Sequence, residues 1–430
     1  MEELKYDKTG RLLFTKQMKR EYTILLPSML PITFSLVKRV FDLYGYNTEL
    51  LTTTHRGIVD TGLKYVHNDT CYPALLAIGQ LLDAVRSGKY DDKKVALMIT
   101  QTGGGCRASN YIHLLRKALE KANMQHIPVI SLNISGLEKN PGFKLSIPLI
   151  RRLAAAMIYG DFVMWLANQV RPYEVTRGAA DLLSTHWVEQ IIAMFGDGKG
   201  MSRRDMRRNM EQIAADFSKI ERDTLVEKPR VGIVGEIYVK FAPLGNNNLE
   251  EFLLSEGVEP VVPGLTDFMI FKINNRSVDV DLYKGSKLKK LVCDIFQKYI
   301  EGLQDMMIAA IKTQPKFRPM GRFADLQRLI PGYLGYGNKM GEGWLLTAEM
   351  LELIHTGVPN IVCTQPFGCL PNHVVGKGMI RRLKDDFPQS NIVAIDYDPG
   401  ATRINQENRV KLMIANAREQ LKSQNTVNTH

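Results

Sequence analysis

Five cysteines carry the clearest chemistry in this 430-residue sequence: Cys71, Cys106, Cys293, Cys363 and Cys369. Cys106 follows Gly103-Gly104-Gly105, Cys369 follows Gln365-Pro366-Phe367-Gly368, and each stands between a strand-like and a helix-like run. Cys71 lies in Asn68-Asp69-Thr70-Cys71-Tyr72-Pro73; like Cys369 it belongs to a Cys-x-Pro pattern, which suits proline in a first helical turn. Unpaired amides and the partial positive charge of a helix N-terminus favour thiolate over thiol. Glycine lets further amides approach, as cluster sulfides require. Thiolates from different sheets can then converge on one soft-metal centre. Cys363, at a strand end, is either a fourth ligand or an inward-facing strand residue. Cys293, in KLKKLVCDIFQKYI, has the spacing of a helix core face and is read as packing. A disulfide framework does not suit a long cytoplasmic chain, and C-x2-C zinc spacing is absent.

Polar residues flank the cysteines: His67, Asn68, Gln101, Arg107, Asn110, Gln365, Asn372 and His373. Asn110 and Asn372 are candidates to orient a substrate, and His373 to move a proton near neutral pH. Each has an alternative as a helix cap or a partner for a loop carbonyl. Glu236, at a strand end in VGIVGEI, is a further catalytic candidate. The polar turn holding Asp396, Asp398, Thr402, Arg403 and Glu407 has no assigned role.

The elements that must position these residues alternate. Tyr22–Pro27, Asn47–Thr53, Lys94–Thr102 and His126–Asn133 read as strands, with helices at Ala74–Val85 and Ile112–Ala122 between them, a pattern that predicts parallel βαβ units. From about Ser146 to Ile220 the periodicity is helical, with turns at Arg171-Pro172 and Gly196–Gly200. Strands resume at Arg230–Val239, Val258–Val262, Phe268–Ile273, Asn360–Thr364 and Asn391–Asp396, and helices at Ser286–Thr313, Trp344–His355, Val374–Asp386 and Thr402–Gln420. The expected fold is α/β, with two parallel-sheet, Rossmann- or flavodoxin-like domains at 1–145 and 226–430 and a helical section at 146–225. The polar end, Gln424–His430, is expected to fray.

Composition narrows the partners. The chain is 45% hydrophobic and 23% charged, enough to bury real cores, and no stretch approaches the roughly 20 apolar residues of a membrane helix. The charged start, MEELKYDKTGRLLFTKQMKREY, lacks the apolar core of a secretion signal, which places the protein in the cytoplasm. The net charge of +11 is scattered, and no nucleic-acid-binding motif accompanies it. Neither a nucleic acid nor a membrane is expected as a partner.

Four segments, Asn68–Ala74 (NDTCYPA), Gly103–Tyr111 (GGGCRASNY), Cys363–His373 (CTQPFGCLPNH) and Asp396–Arg409 (DYDPGATRINQENR), resemble the 2-hydroxyacyl-CoA dehydratase superfamily, in particular its activase-related branch. Val231–Val239 (VGIVGEIYV) and Asn338–Met350 (NKMGEGWLLTAEM) fit the same branch, so the resemblance runs from roughly Glu21 to Ala417. It implies a cubane-type [4Fe-4S] cluster held by Cys71, Cys106 and Cys369, with Cys363 as an additional candidate and one iron left open. It also implies a separate ATP-dependent activator that delivers one low-potential electron for radical loss of water, an acyl-CoA substrate, a homo- or heterodimer, and anaerobic metabolism. No phosphate-binding G-x4-G-K-[ST] loop occurs, so the activator is not part of this chain. The alternatives are a small-molecule reductase of the related double-cubane [8Fe-9S] type, for which five cysteines are few, and a non-catalytic electron-transfer or scaffold subunit.

Overall fold

The computed structural model describes residues 4–428 apart from 68, 103, 134–137, 224 and 226, with side chains to residue 423, so the expectations for Asn68 and Gly103 lie outside the described residues. Its frame is a pair of four-stranded, wholly parallel sheets. The first contains β1 (Thr23–Pro27), β2 (Asn47–Leu51), β3 (Val95–Thr100) and β4 (Val129–Leu132) in the order β2-β1-β3-β4. The second contains β5 (Arg230–Gly235), β6 (Glu259–Val261), β7 (Asn360–Pro366) and β8 (Asn391–Tyr397) in the order β6-β5-β7-β8. The two orders are the same, second-first-third-fourth. In each sheet the direction of winding reverses between the first and third strands, and the crevice beyond their carboxyl ends is where open α/β sheets bind ligands.

Local chemistry sets the boundaries. The β3 run VALMIT is buried over five of its six residues, as a strand covered on both faces must be. The expected strand Arg230–Val239 stops at Gly235, because Glu236 turns the chain into the helix Ile237–Phe241 and accepts the Val239 amide at 2.9 Å as its N-cap. Phe268–Ile273, expected as a strand, lies inside the helix Leu265–Tyr283. Its run of aromatic and branched residues favours strand locally. The helix nevertheless buries polar positions such as Asp267, Asn274 and Asn275, so no single apolar stripe betrays it. Val374–Asp386 is two helices, Leu370–Val375 and Ile380–Asp386, separated at Gly376. The last helix, Arg403–Asn428, continues through the segment expected to fray from Gln424.

The helical section consists of Ile147–Val170, Ala179–Gly196 and Arg203–Lys219, and it is not a separate layer. Helices Leu265–Tyr283 and Lys287–Lys312, from the second α/β half, share its core, and one apolar cluster runs from Ile24 and Met98 through Phe162 and Phe217 to Met307 and Trp344. The helix Tyr72–Arg86 is buried almost all round: Leu75 and Leu76 join the core of the second sheet, while Leu81 and Leu82 join that of the first. It lies so close to Gly57–Tyr65 that a side chain at Gly79 would meet the Ile58 carbonyl at 2.4 Å, and one at Gly62 the Leu75 carbonyl at 2.5 Å. Among the described residues no helix is long and apolar enough to cross a membrane.

One buried ion pair braces the second half. Lys240 Nζ donates to both carboxylate oxygens of Glu349 at 3.0 Å, with both side chains almost wholly enclosed. Replacing Lys240 by Met strands the Glu349 charge and is expected to cost about 3–5 kcal/mol in urea denaturation. Adding Glu349→Leu to that variant should recover most of the loss; equal stabilities of the single and double variants would show that the pair is not coupled.

Candidate functional site

Cys71, Cys106 and Cys369 each occupy an N-cap position, before the helix Tyr72–Arg86, the short 3-10 turn Arg107–Ser109 and the helix Leu370–Val375. Cys106 follows β3 and Cys369 follows β7, which are equivalent third strands of the two sheets. Backbone and side-chain links tie their loops together. The Tyr72 amide donates to the Phe367 carbonyl at 2.9 Å. Gly368, with φ +71, lies against Cys71 so closely that a Cβ would stand 3.1 Å from the Cys71 Cα. Arg107 reaches across to the Asp69 carbonyl at 2.8 Å, which joins the Cys106 segment to the Cys71 loop. Behind them, Tyr111 places its hydroxyl 3.1 Å from the Cys71 sulfur.

Two carboxyls and a lysine complete the surroundings. Glu236 begins the helix after β5, and the Glu342 carboxylate accepts the neighbouring Ile237 amide at 3.1 Å. Glu342 belongs to the loop Asn338–Gly343, which folds over the cysteines: Met340 is so near Gly105 that a Cβ there would lie 2.6 Å from its sulfur. Lys272, from the helix Leu265–Tyr283, holds this loop through the Gly341 carbonyl at 2.6 Å.

Electrostatics differ from the expectation that helix N-termini would favour thiolates. Burial dominates at all three. It raises Cys71, and with Glu342 and Glu236 nearby it pushes Cys106 up to about 11 and Cys369 higher still, against the opposing pull of the Ala74, Ala108 and Asn372 amides. Burial raises both Glu236 and Glu342 as well, and Glu342 adds to the rise of Glu236. Lys272 is lowered by burial, against the pull of Glu342 and Cys106. Without a bound cation the thiols therefore stay protonated, and burial opposes ionisation of the two carboxyls as well, since charging any of these groups in this enclosure is costly.

The other sequence candidates stand elsewhere. Cys363 is fully buried in β7 within the main apolar core, its sulfur 3.8 Å from the Asn372 side-chain oxygen, and its raised thiol responds after burial to Asp396 and Glu349. Asn372 donates to the Thr364 carbonyl at 2.9 Å, the loop-satisfying role. Asn110 and His373 are exposed. Gln101 bonds Ser131 and Ser109, bracing the loop after β3. Cys293 lies in the helix Lys287–Lys312 and is half-buried. Tyr111, Lys272 and Glu342 escaped the sequence reading as chemical groups, although Tyr111 and Glu342 lie in GGGCRASNY and NKMGEG. Among the described residues no three His, Cys, Asp or Glu side chains gather tightly enough to hold a metal ion. No family model matches the chain, and no curated protein is significantly similar to it.

The raised Cys106 thiol sets its reactivity. In metal-free protein its alkylation by iodoacetamide, followed by peptide mass spectrometry, should climb about tenfold per pH unit from roughly pH 7.5 to 9.5 without levelling, because the thiolate is the nucleophile. Glu342→Gln removes a neighbouring negative charge and should move the levelling-off to lower pH. A plateau already reached near neutral pH would show that the helix N-terminus outweighs burial.

Proposed function

We propose that this chain is an iron–sulfur protein of the 2-hydroxyacyl-CoA dehydratase type, reduced by a separate ATP-dependent activator. The observation that carries this reading is the meeting of Cys71, Cys106 and Cys369, at helix starts from both halves, in one enclosed place. Thiols suit soft iron, and a cluster offers each thiolate its own iron, so its ligands need not crowd around one point as those of a single ion do. Gly105 and Gly368 let Met340 and the Cys71 backbone pack directly against the loops that carry Cys106 and Cys369. Bound there, a four-iron cubane would supply a low-potential electron and, with three thiolates for four irons, one iron open to a substrate oxygen.

The protein's own part is enclosure and proton handling. Burial raises Glu236 to about 8 and raises Glu342 as well, so Glu236 has a proton near neutral pH to give to a departing hydroxyl. Met340 and the loop Asn338–Gly343 keep water from the Cys106 side, and Lys272 supplies positive charge next to Glu342 for an anionic intermediate. An iron left open by three thiolates would suit a catalytic role over a pure electron carrier. The double-cubane alternative would need more thiols than converge here, since Cys363 faces the core.

Anaerobically purified protein is expected to be brown, with iron and acid-labile sulfide in similar amounts. Cys71→Ser, Cys106→Ser and Cys369→Ser should each lose most of the iron, whereas Cys293→Ser and Cys363→Ser should keep it, the latter at a stability cost of about 1–3 kcal/mol for a buried hydroxyl. Cluster reduction followed by electron paramagnetic resonance should require both the activator and ATP. Colourless protein that resists reconstitution, or one zinc per chain, would overturn the proposal, and reduction without ATP would favour the electron-carrier alternative.

A further inference from the structure

A second enclosed space lies at the other ends of the strands. Its walls include Arg230 and Glu259, where β5 and β6 begin, and Val358 just before β7, whereas Cys106 and Cys369 follow the opposite ends of β3 and β7. The cavity measures about 280 Å³ and is bounded by the helix Ile147–Val170, the start of Leu265–Tyr283 and the end of Trp344–His355.

Besides Glu259, which pairs with Arg318, three carboxyls border it: Asp161, Asp267 and Glu352. Asp161 is 2% exposed; its Oδ2 accepts the Thr266 amide and hydroxyl, each at 2.6 Å, and its Oδ1 accepts nothing. Asp267 is also buried and takes one bond from Gln304 at 2.7 Å. Among the described residues none of the three pairs with a cation. Lys240 is committed to Glu349, and of the two arginines on the walls Arg318 pairs with Glu259, the register partner of Arg230. Burial raises all three carboxyls, Asp267 to about 7, with neighbouring acids adding to the rise of Asp267 and Glu352 and the Lys240 charge opposing it at each. An unfilled buried acceptor of this kind is costly unless something donates to it.

Polar residues such as Asn168, Gln169 and Thr356 also line it, and Trp165, whose N–H is spent on the Arg318 carbonyl, forms an apolar part with Val262 and Leu353. Carboxyls beside an apolar wall in a small space match a ligand with a charged donor head and a hydrocarbon body. A hard metal ion needs several oxygens closing on one point, and these acids do not gather in that way. We propose that this cavity binds a small organic cation, an aliphatic amine whose ammonium donates to Asp161 Oδ1 and Asp267 while its chain lies on Trp165, Val262 and Leu353. This assignment is independent of the cysteine site and of any cluster there.

The test is thermal unfolding of the whole purified protein with n-butylammonium chloride, against n-butanol and sodium chloride at equal concentration. A saturable rise in melting temperature is expected with the amine alone, lost in Asp161→Asn and in Asp267→Asn. Since Asp161 also caps a helix, Asp267→Asn decides the matter if Asp161→Asn does not fold. An equal rise with butanol, an undiminished amine response in Asp267→Asn, no response to the amine, or a rise with calcium chloride in its place would each overturn the assignment.

Discussion

The cysteine site depends on one backbone contact between the two halves: the Tyr72 amide on the Phe367 carbonyl, with Gly368 seated against Cys71. Tyr72 opens a helix that is itself wedged between two cores, so its first turn has little freedom. Phe367 leaves β7 and is pinned to β8 through the Tyr397 carbonyl at 2.8 Å. Two rigid elements thus meet by main chain rather than through long side chains, and Cys71 and Cys369 inherit that rigidity. Arg107 then brings the Cys106 loop into the same frame. Sites set on well-packed elements in this way hold their geometry better than sites on free loops.

Enclosure is also what governs the site's charge. Helix starts and nearby amides favour thiolates, yet the removal of water outweighs them at all three cysteines. The same balance raises Glu236, Glu342 and, on the far side of the sheet, Asp161 and Asp267. A chain of net charge +11 thus keeps most of its lysines out of the interior while burial opposes the ionisation of these enclosed acids. Lys240 and Lys272 are exceptions, the first matched to Glu349 and the second set between Glu342 and the Gly341 carbonyl.

Much of the frame was legible before folding. Near-continuous apolar runs such as VALMIT and NIVCTQP mark doubly covered strands, and glycine or proline beside Cys71, Cys106 and Cys369 marks their places at helix starts. Other features were hidden for physical reasons. The helix Leu265–Tyr283 buries polar as well as apolar residues, so FMIFKI read as a strand. Glu342 matters because a loop folds it onto the Ile237 amide, 105 residues away in sequence, and nothing local announces such a contact. The sign of the thiol shifts was hidden too, since local sequence reports the helix start but not the depth of burial around it.

The identical strand order of the two sheets has a consequence for biosynthesis. Cys106 and Cys369 occupy matching places in the two sheets, but they are far apart along the chain, and the Cys71 loop takes part of its support from residues after β7. While the ribosome is still making the first sheet, Cys71 and Cys106 emerge with neither the roof of Asn338–Gly343 nor the third thiol. If the proposed cluster is bound by both halves, it would be loaded late, onto a nearly finished fold, and until then Cys71 and Cys106 would lack the enclosure that the second half gives them.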